Sequence, residues 1–208
     1  DVNNALNQLK KSNYLKTDLQ VDSLSLGISL NKFYITGNIT EHVAFRFAYA
    51  KELLELIHKG NGPFVGQTID FSKTGFDATH YREYGLGLAT ELNDQCTVGG
   101  RLKYLYGLEN FSSTTGDLGL VTAEEDYHLQ VPTNIVINTS GPVNSEDGYD
   151  QFSDGTAKSA SSNIRDYLFH RKNRGFAIDL GGTYKPNETW SFSASVLDLG
   201  FIKWKSDV

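Results

Sequence analysis

Two stretches of the chain alternate apolar and polar residues strictly enough to define faces. In YREYGLGLATELNDQCTVGGRLKYLYG, residues 81–107, a loop at Asn93, Asp94 and Gln95 sets Leu92 opposite Cys96 and fixes the later pairs of an antiparallel hairpin. One face reads Tyr84, Leu86, Leu88, Thr90 and Leu92 against Tyr104, Leu102, Gly100, Val98 and Cys96. The other reads Glu83, Gly85, Gly87, Ala89 and Glu91 against Leu105, Lys103, Arg101, Gly99 and Thr97. Glycines face the two long cations, which leaves room for Arg101 and Lys103 inside a curved wall, with Glu83 and Glu91 near enough to balance their charge. An apolar outside and a polar inside, with Tyr84 and Tyr104 side by side at one end, is the pattern of a transmembrane β-barrel strand pair. On this stretch alone, a half-buried hairpin of a soluble β-sandwich reads the same way.

The second stretch repeats the design. Phe176, Ile178, Leu180, Gly182 and Tyr184 share a face with Trp190, Phe192, Ala194 and Val196 across a turn at 185–189, while Asp179, Gly181 and Thr183 face Ser195, Ser193 and Ser191. Tyr184 and Trp190 fall beside the turn, where an interfacial aromatic girdle belongs. Two hairpins of one design favour the barrel over the sandwich.

Between and before them the pattern is less regular. Residues 1–16 predict a short amphipathic helix or a polar connector, and 19–30 a strand with Leu24, Leu26, Ile28 and Leu30 opposite small hydroxyls. After a turn at Asn31 and Lys32, residues 32–39 and 42–47 read as two short strands, the second with Val43, Phe45 and Phe47 on one face and Arg46 on the other. The period then changes. Leu53, Leu54, Ile57 and His58 recur at helical spacing and Gly60 supplies a stop, which predicts a helix around 50–59, too short to span a bilayer. Two short strands before this helix and one long strand after it alternate in direction only if 60–75 cross the barrel or one short strand is misassigned. Residues 111–116 read as a polar turn, with strands at 117–121 and 130–137 after it. The Gly-, Ser- and Asp-rich stretch 139–163 reads as a long extracellular loop. Its Glu146, Asp147, Asp150 and Asp154 miss the spacing of a calcium loop, so a solvated loop is the expectation and no metal is assigned.

Composition narrows the choice further. The chain has 208 residues with 20 Gly, 11 Tyr, 12 Phe and 4 Pro, which suits one all-β unit over 1–208. No apolar run is long enough for a transmembrane helix, which leaves a barrel open because its strands alternate. A net charge of -6 argues against nucleic acid as a partner. The single Cys96 cannot form an internal disulfide and lies on the apolar face beside a turn. The absence of methionine and of a signal peptide, and an end in mid-pattern at IKWKSDV, suggest an internal fragment of a longer mature protein. The expected fold is therefore an antiparallel transmembrane β-barrel, a fragment of a larger barrel, with one short helix.

Several stretches resemble a family of uncharacterised outer-membrane β-barrel proteins of Bacteroidota. They are Lys32 to Phe47 followed by AKELLELIHKGNGPFVGQTIDFS, then YREYGLGLA, TVGGRLKYLYGLENFSS, INTSGP at 137–142 and AIDLGGTYKPNETWSFSASVLDLGFIKW at 177–204. The stretch 143–168 carries none of the resemblance. The resemblance implies a bacterial outer-membrane location and a larger barrel, and no activity, because the family has no catalytic motif to carry over. A more remote similarity, at fold level only, is to fatty-acid channel barrels.

The residues point the same way on catalysis. His42, His58, His80, His128 and His170 stand in no G-x-S-x-G, H-E-x-x-H or comparable setting, so no catalytic residue and no cofactor is assigned. The expected function is a non-enzymatic structural or assembly component of an envelope complex. The alternative is a passive outer-membrane channel for small or hydrophobic solutes, with Arg46, Glu83, Glu91, Arg101, Lys103 and Asp179 lining the lumen. Tyr84, Tyr104, Tyr184 and Trp190 are the interfacial aromatics. The expected partners are outer-membrane lipid and lipopolysaccharide, together with other envelope proteins.

Overall fold

The computed structural model describes residues 2–140 and 173–205. Helix α1 (Val2–Gln8) leads into β1 (Ser12–Leu30) and β2 (Phe33–Ala50). Helix α2 (Lys51–Lys59), a 3-10 turn (Gly62–Phe64) and β3 (Thr68–Asp70) follow, then the long strands β4 (Gly75–Asn93) and β5 (Cys96–Thr122). The chain continues through β6 (Leu129–Gln130), β7 (Thr133–Ser140), β8 (Arg174–Tyr184) and β9 (Phe192–Lys203). The nine strands form one sheet whose main path runs β1-β2-β4-β5-β8-β9, with β3, β6 and β7 joined to β5. Each step of that path whose register is defined is antiparallel. Among the described residues the path ends at β1 and β9 and does not close.

Several expectations change. Residues 32–39 and 42–47 are one strand, β2, because Glu41 and Thr40 keep the extended backbone and are satisfied by side-chain partners. The alternation of strand directions is thereby restored without any crossing by 60–75. Residues 111–116 are not a turn but the middle of β5, where Ser113 Oγ accepts from Phe76 N–H and Thr115 Oγ1 donates to Thr74 O. Hydroxyls that looked like turn formers instead bind the neighbouring strand. β1 begins at Ser12, earlier than expected. The loop 139–163, with its four carboxylates, lies outside the described residues except for Thr139 and Ser140, which end β7.

The residues fall into two compact units, the first drawn from 1–18, 44–78 and 111–139, the second from 19–43, 79–110 and 140–208. The first unit has an ordinary hydrophobic core. Ala50, Ile69 and Phe71 are buried there, with Leu53, Leu56, Phe64, Leu118 and Leu120 packed against them. Register sets Ile69 opposite Leu120, so β3 delivers one side chain to the core and leaves its neighbours outside. Helix α2 matches its expected place, but it turns Leu53 and Leu56 inward and leaves Ile57 exposed. Gly60 ends it: at φ 71 and ψ -174 its N–H donates to Leu56 O at 2.8 Å. That backbone region is essentially restricted to glycine.

A Cβ at residue 60 would meet nothing within 4 Å, so Gly60→Ala tests backbone strain without a clash. It is expected to destabilise the first unit by about 1–3 kcal/mol, read as a lower urea midpoint together with faster hydrogen exchange at Ile69. An unchanged midpoint would show that α2 can end without this conformation.

Candidate functional site

The second unit has the reverse sidedness. Its apolar face carries Leu86, Leu102, Leu180, Phe192, Leu199 and Phe201, all exposed, with Leu102 at 64% and Phe201 at 66%. Its polar face buries charge: Glu83 is 3% exposed, Lys103 7% and Asp179 9%.

Those buried charges form a continuous ladder that visits all six strands of the main path. From β1, Asp22 Oδ1 accepts from Thr40 Oγ1 at 2.7 Å. On β2, Asn38 Nδ2 donates to Thr40 at 2.8 Å and to Glu83 Oε1 at 3.2 Å, while His42 Nε2 lies 3.2 Å from Glu83 Oε2 and its ring stacks on Tyr81. On β5, the Lys103 ammonium lies 3.6 Å from Glu83, 2.8 Å from Asp179 of β8 and 2.6 Å from Asp198 of β9. Asp179 also accepts from Asp198 N–H at 2.8 Å. Three carboxylates on one ammonium leave a net negative site, with Arg101 placed opposite Asp179 by register.

Local backbone makes this possible at two points. Glycines at 85 and 87 open space for Arg101, since a Cβ at either would approach the Arg101 side chain and collide with Asn38 or Thr36. In β9 the register slips between Ile178 and Leu180, which leaves an extra residue on β9 at Leu197 and Asp198. Asp198 takes the left-handed conformation, φ 57, which aspartate tolerates better than a branched residue. Bulges commonly re-aim side chains, and this one turns Asp198 to Lys103.

The expected residues are distributed as follows. Glu83, Lys103 and Asp179 come together, and Arg101 stands beside them. Glu91 does not join: it is exposed near the turn, four residues beyond Gly87, or about 13 Å along the strand. Arg46 belongs to the first unit, where its guanidinium stacks 4.3 Å over the Tyr14 ring in a hollow lined by Ser12, Lys73 and Thr115. Tyr84 and Tyr104 are adjacent as expected, with centroids 6.3 Å apart, and Phe176 packs edge-on to Tyr104 at 5.4 Å. Tyr184 pairs with Phe192 rather than Trp190. Trp190 precedes β9 and stacks on Phe192, and between the turn and the bulge the faces survive because the observed pairing lies two residues from the expected one. Asp22, Asn38, Thr40, His42 and Asp198 were not anticipated. For Asp22 and Asp198 the signal is a change of parity: apolar residues switch from odd to even between Val21 and Leu24, and from even to odd between Val196 and Leu199.

Above the ladder, toward the turns, the polar face holds a shallow hollow of about 390 Å³. Thr36, Gly87, Gly99, Gly181, Thr183 and Ser195 line it with small or hydroxylated groups, and Arg101 and Asp179 close one end.

Fold and site together define a class: an antiparallel sheet protein that buries a charged ladder on one face and exposes aliphatic and aromatic side chains on the other. The chain belongs to the Family of unknown function (DUF5723), whose pattern matches residues 1–208. No curated protein and no solved structure matches it.

Removing the hub should be costly, because Lys103→Met leaves buried carboxylates facing one another. The expected loss is about 2–4 kcal/mol, below the full range for a broken buried pair because Asp198 is solvent-exposed and its share is screened. Adding Asp179→Asn to Lys103→Met should recover part of that loss. A double-mutant cycle showing no coupling would mean that the ladder does not hold β5 to β8.

Proposed function

We propose that this chain forms part of the wall of a bacterial outer-membrane β-barrel and serves, without catalysis, as a structural or assembly component of the envelope. The reversed sidedness of the second unit carries the reading. In water, a surface of Leu102, Phe176, Leu180, Leu199 and Phe201 would be an aggregation hazard, whereas lipid is the solvent that such a surface suits.

Dimensions support it. Registered rows on the apolar face run Cys96–Tyr184–Phe192, Val98–Gly182–Ala194, Gly100–Leu180–Val196, Leu102–Ile178–Leu199 and Tyr104–Phe176–Phe201. Eight residues separate the first row from the last, about 27 Å along a strand and about 21 Å once tilted by roughly 40°. Barrel walls carry an apolar band about 25 Å tall between aromatic girdles. Here Tyr184, Trp190 and Phe192 mark one border, and Tyr84, Tyr104 and Phe176 mark the other. The turns at Asn31, at Asp94 and after Tyr184 are short, whereas the connection from β2 to β4 carries α2 and β3; by the usual asymmetry the short turns face the periplasm. Among the described residues no helix is long and apolar enough to cross a membrane, so spanning falls to the strands. The path is open among the described residues, and a barrel of this wall would need further strands to close.

A second reading, a passive channel for small or hydrophobic solutes, rests on the glycine- and hydroxyl-lined hollow beside Arg101. The two separate in a planar bilayer. For the assembly role, the full-length protein gives no conductance and co-purifies stably with other envelope proteins; solute-dependent conductance without partners favours the channel.

The membrane reading itself is tested by Leu102→Arg. A cation in the middle of the lipid-facing band should cost about 2–4 kcal/mol of insertion and abolish flotation with vesicles. A variant that stays monodisperse without detergent, as does the parent, would refute the reading.

A further inference from the structure

The polar hollow of the first unit carries charge that its fold does not use. It measures about 510 Å³, the size of a small-molecule site, and all of its lining belongs to that unit. Alternation brings Tyr14 of β1, Arg46 of β2, Gly75 and Asp77 of β4, and Ser113 and Thr115 of β5 to it. Ser113 Oγ accepts from Phe76 N–H and Thr115 Oγ1 donates to Thr74 O, so the neighbouring strands hold this wall in place. Gly75 has no side chain and leaves depth beside Ser113, whose Oγ would lie 3.1 Å from an added Cβ.

Two cations, Arg46 and Lys73, line the same hollow. The partner of Arg46 is the Tyr14 ring, 4.3 Å away, which is neutral and holds the guanidinium in place without cancelling its charge. Lys73 stands exposed in the turn before β4. Asp70, three residues earlier, accepts from Ser72 N–H at 2.8 Å and is no part of the lining. Among the described residues neither cation is in an ion pair, and Asp77 is the one carboxylate of the lining. Two positive charges therefore stand against one negative. A ligand that suits both signs has one anionic group and several hydroxyls: the cations take the anion, and Asp77 accepts from an O–H while repelling a bare anion.

We propose that this hollow binds a carbohydrate carrying one anionic group, held by Arg46 and Lys73, with a sugar hydroxyl donating to Asp77. The planar guanidinium fork matches phosphate and carboxylate alike, so a sugar phosphate and a uronate share the chemistry. Because Arg46 is already fixed on Tyr14, little side-chain freedom is lost on binding. The site goes beyond the membrane reading and does not depend on it, since every group in it belongs to the first unit.

The test is titration calorimetry of the full-length protein in detergent, at low salt, with glucosyl phosphate, glucuronate, glucose and inorganic phosphate. At least one of the two anionic sugars should bind about tenfold more tightly than glucose and than inorganic phosphate. Whichever binds distinguishes the phosphate from the carboxylate. Arg46→Gln and Lys73→Gln should each weaken that sugar about tenfold, and Arg46→Lys should keep part of the affinity. Asp77→Asn should weaken the sugar and strengthen inorganic phosphate, opposite signs that a general loss of structure does not give. Lys73→Gln, in an exposed turn, keeps the test decisive if Arg46→Gln fails to fold. Binding of neither anionic sugar, equal binding of glucose or of inorganic phosphate, or full affinity in Lys73→Gln overturns the proposal.

Discussion

The Lys103 ammonium, buried among Glu83, Asp179 and Asp198, decides which face of the second unit turns away from its surroundings. A charge removed from water is tolerated only when its partners are in reach, and here they come from three other strands. Each strand must therefore hold one register and one facing. A slip of one residue on β8 would carry Asp179 to the apolar side and bring Ile178 or Leu180 against the ammonium. The glycines at 85 and 87 follow from the same demand, since the long side chain of Arg101 needs the space beside the hub.

Two opposite arrangements of apolar side chains occur in one chain. The first unit packs Ile69, Phe71, Leu118 and Leu120 together with Leu53 and Leu56 of α2. The second keeps its hydrophobic residues outward and satisfies its polar ones internally. β1, β2, β4 and β5 each contribute residues to both units. In β1 the parity of the polar face changes: Asp22 bonds Thr40 on it, while Gly27 lies there against Tyr34. In β9 a bulge at Asp198 brings a further carboxylate to the hub.

Much of this was legible in the chain itself. Alternation located the hairpin at 81–107 and the pairing of Tyr84 with Tyr104, because a period of two follows directly from the pleat. Helical spacing and Gly60 located α2 nearly to the residue. Reading failed where one hydroxyl or carboxylate had two uses. Ser113 and Thr115 resemble turn residues until a neighbouring strand satisfies them, and Glu41 resembles a strand break until Arg82 and His80 reach it.

Taken alone, the order of residues determined the hairpin at 81–107, the helix near 50–59 and the two faces of the hairpins, since periodicity is a local property of the backbone. Only the tertiary structure decided which charges meet. Asp198 reaches Lys103, 95 residues earlier, by means of a slipped register and one left-handed residue, while Glu91, nearer in sequence, stays apart. Cross-strand neighbours depend on register summed over several strand pairs, and a single bulge changes that sum without any change in local propensity.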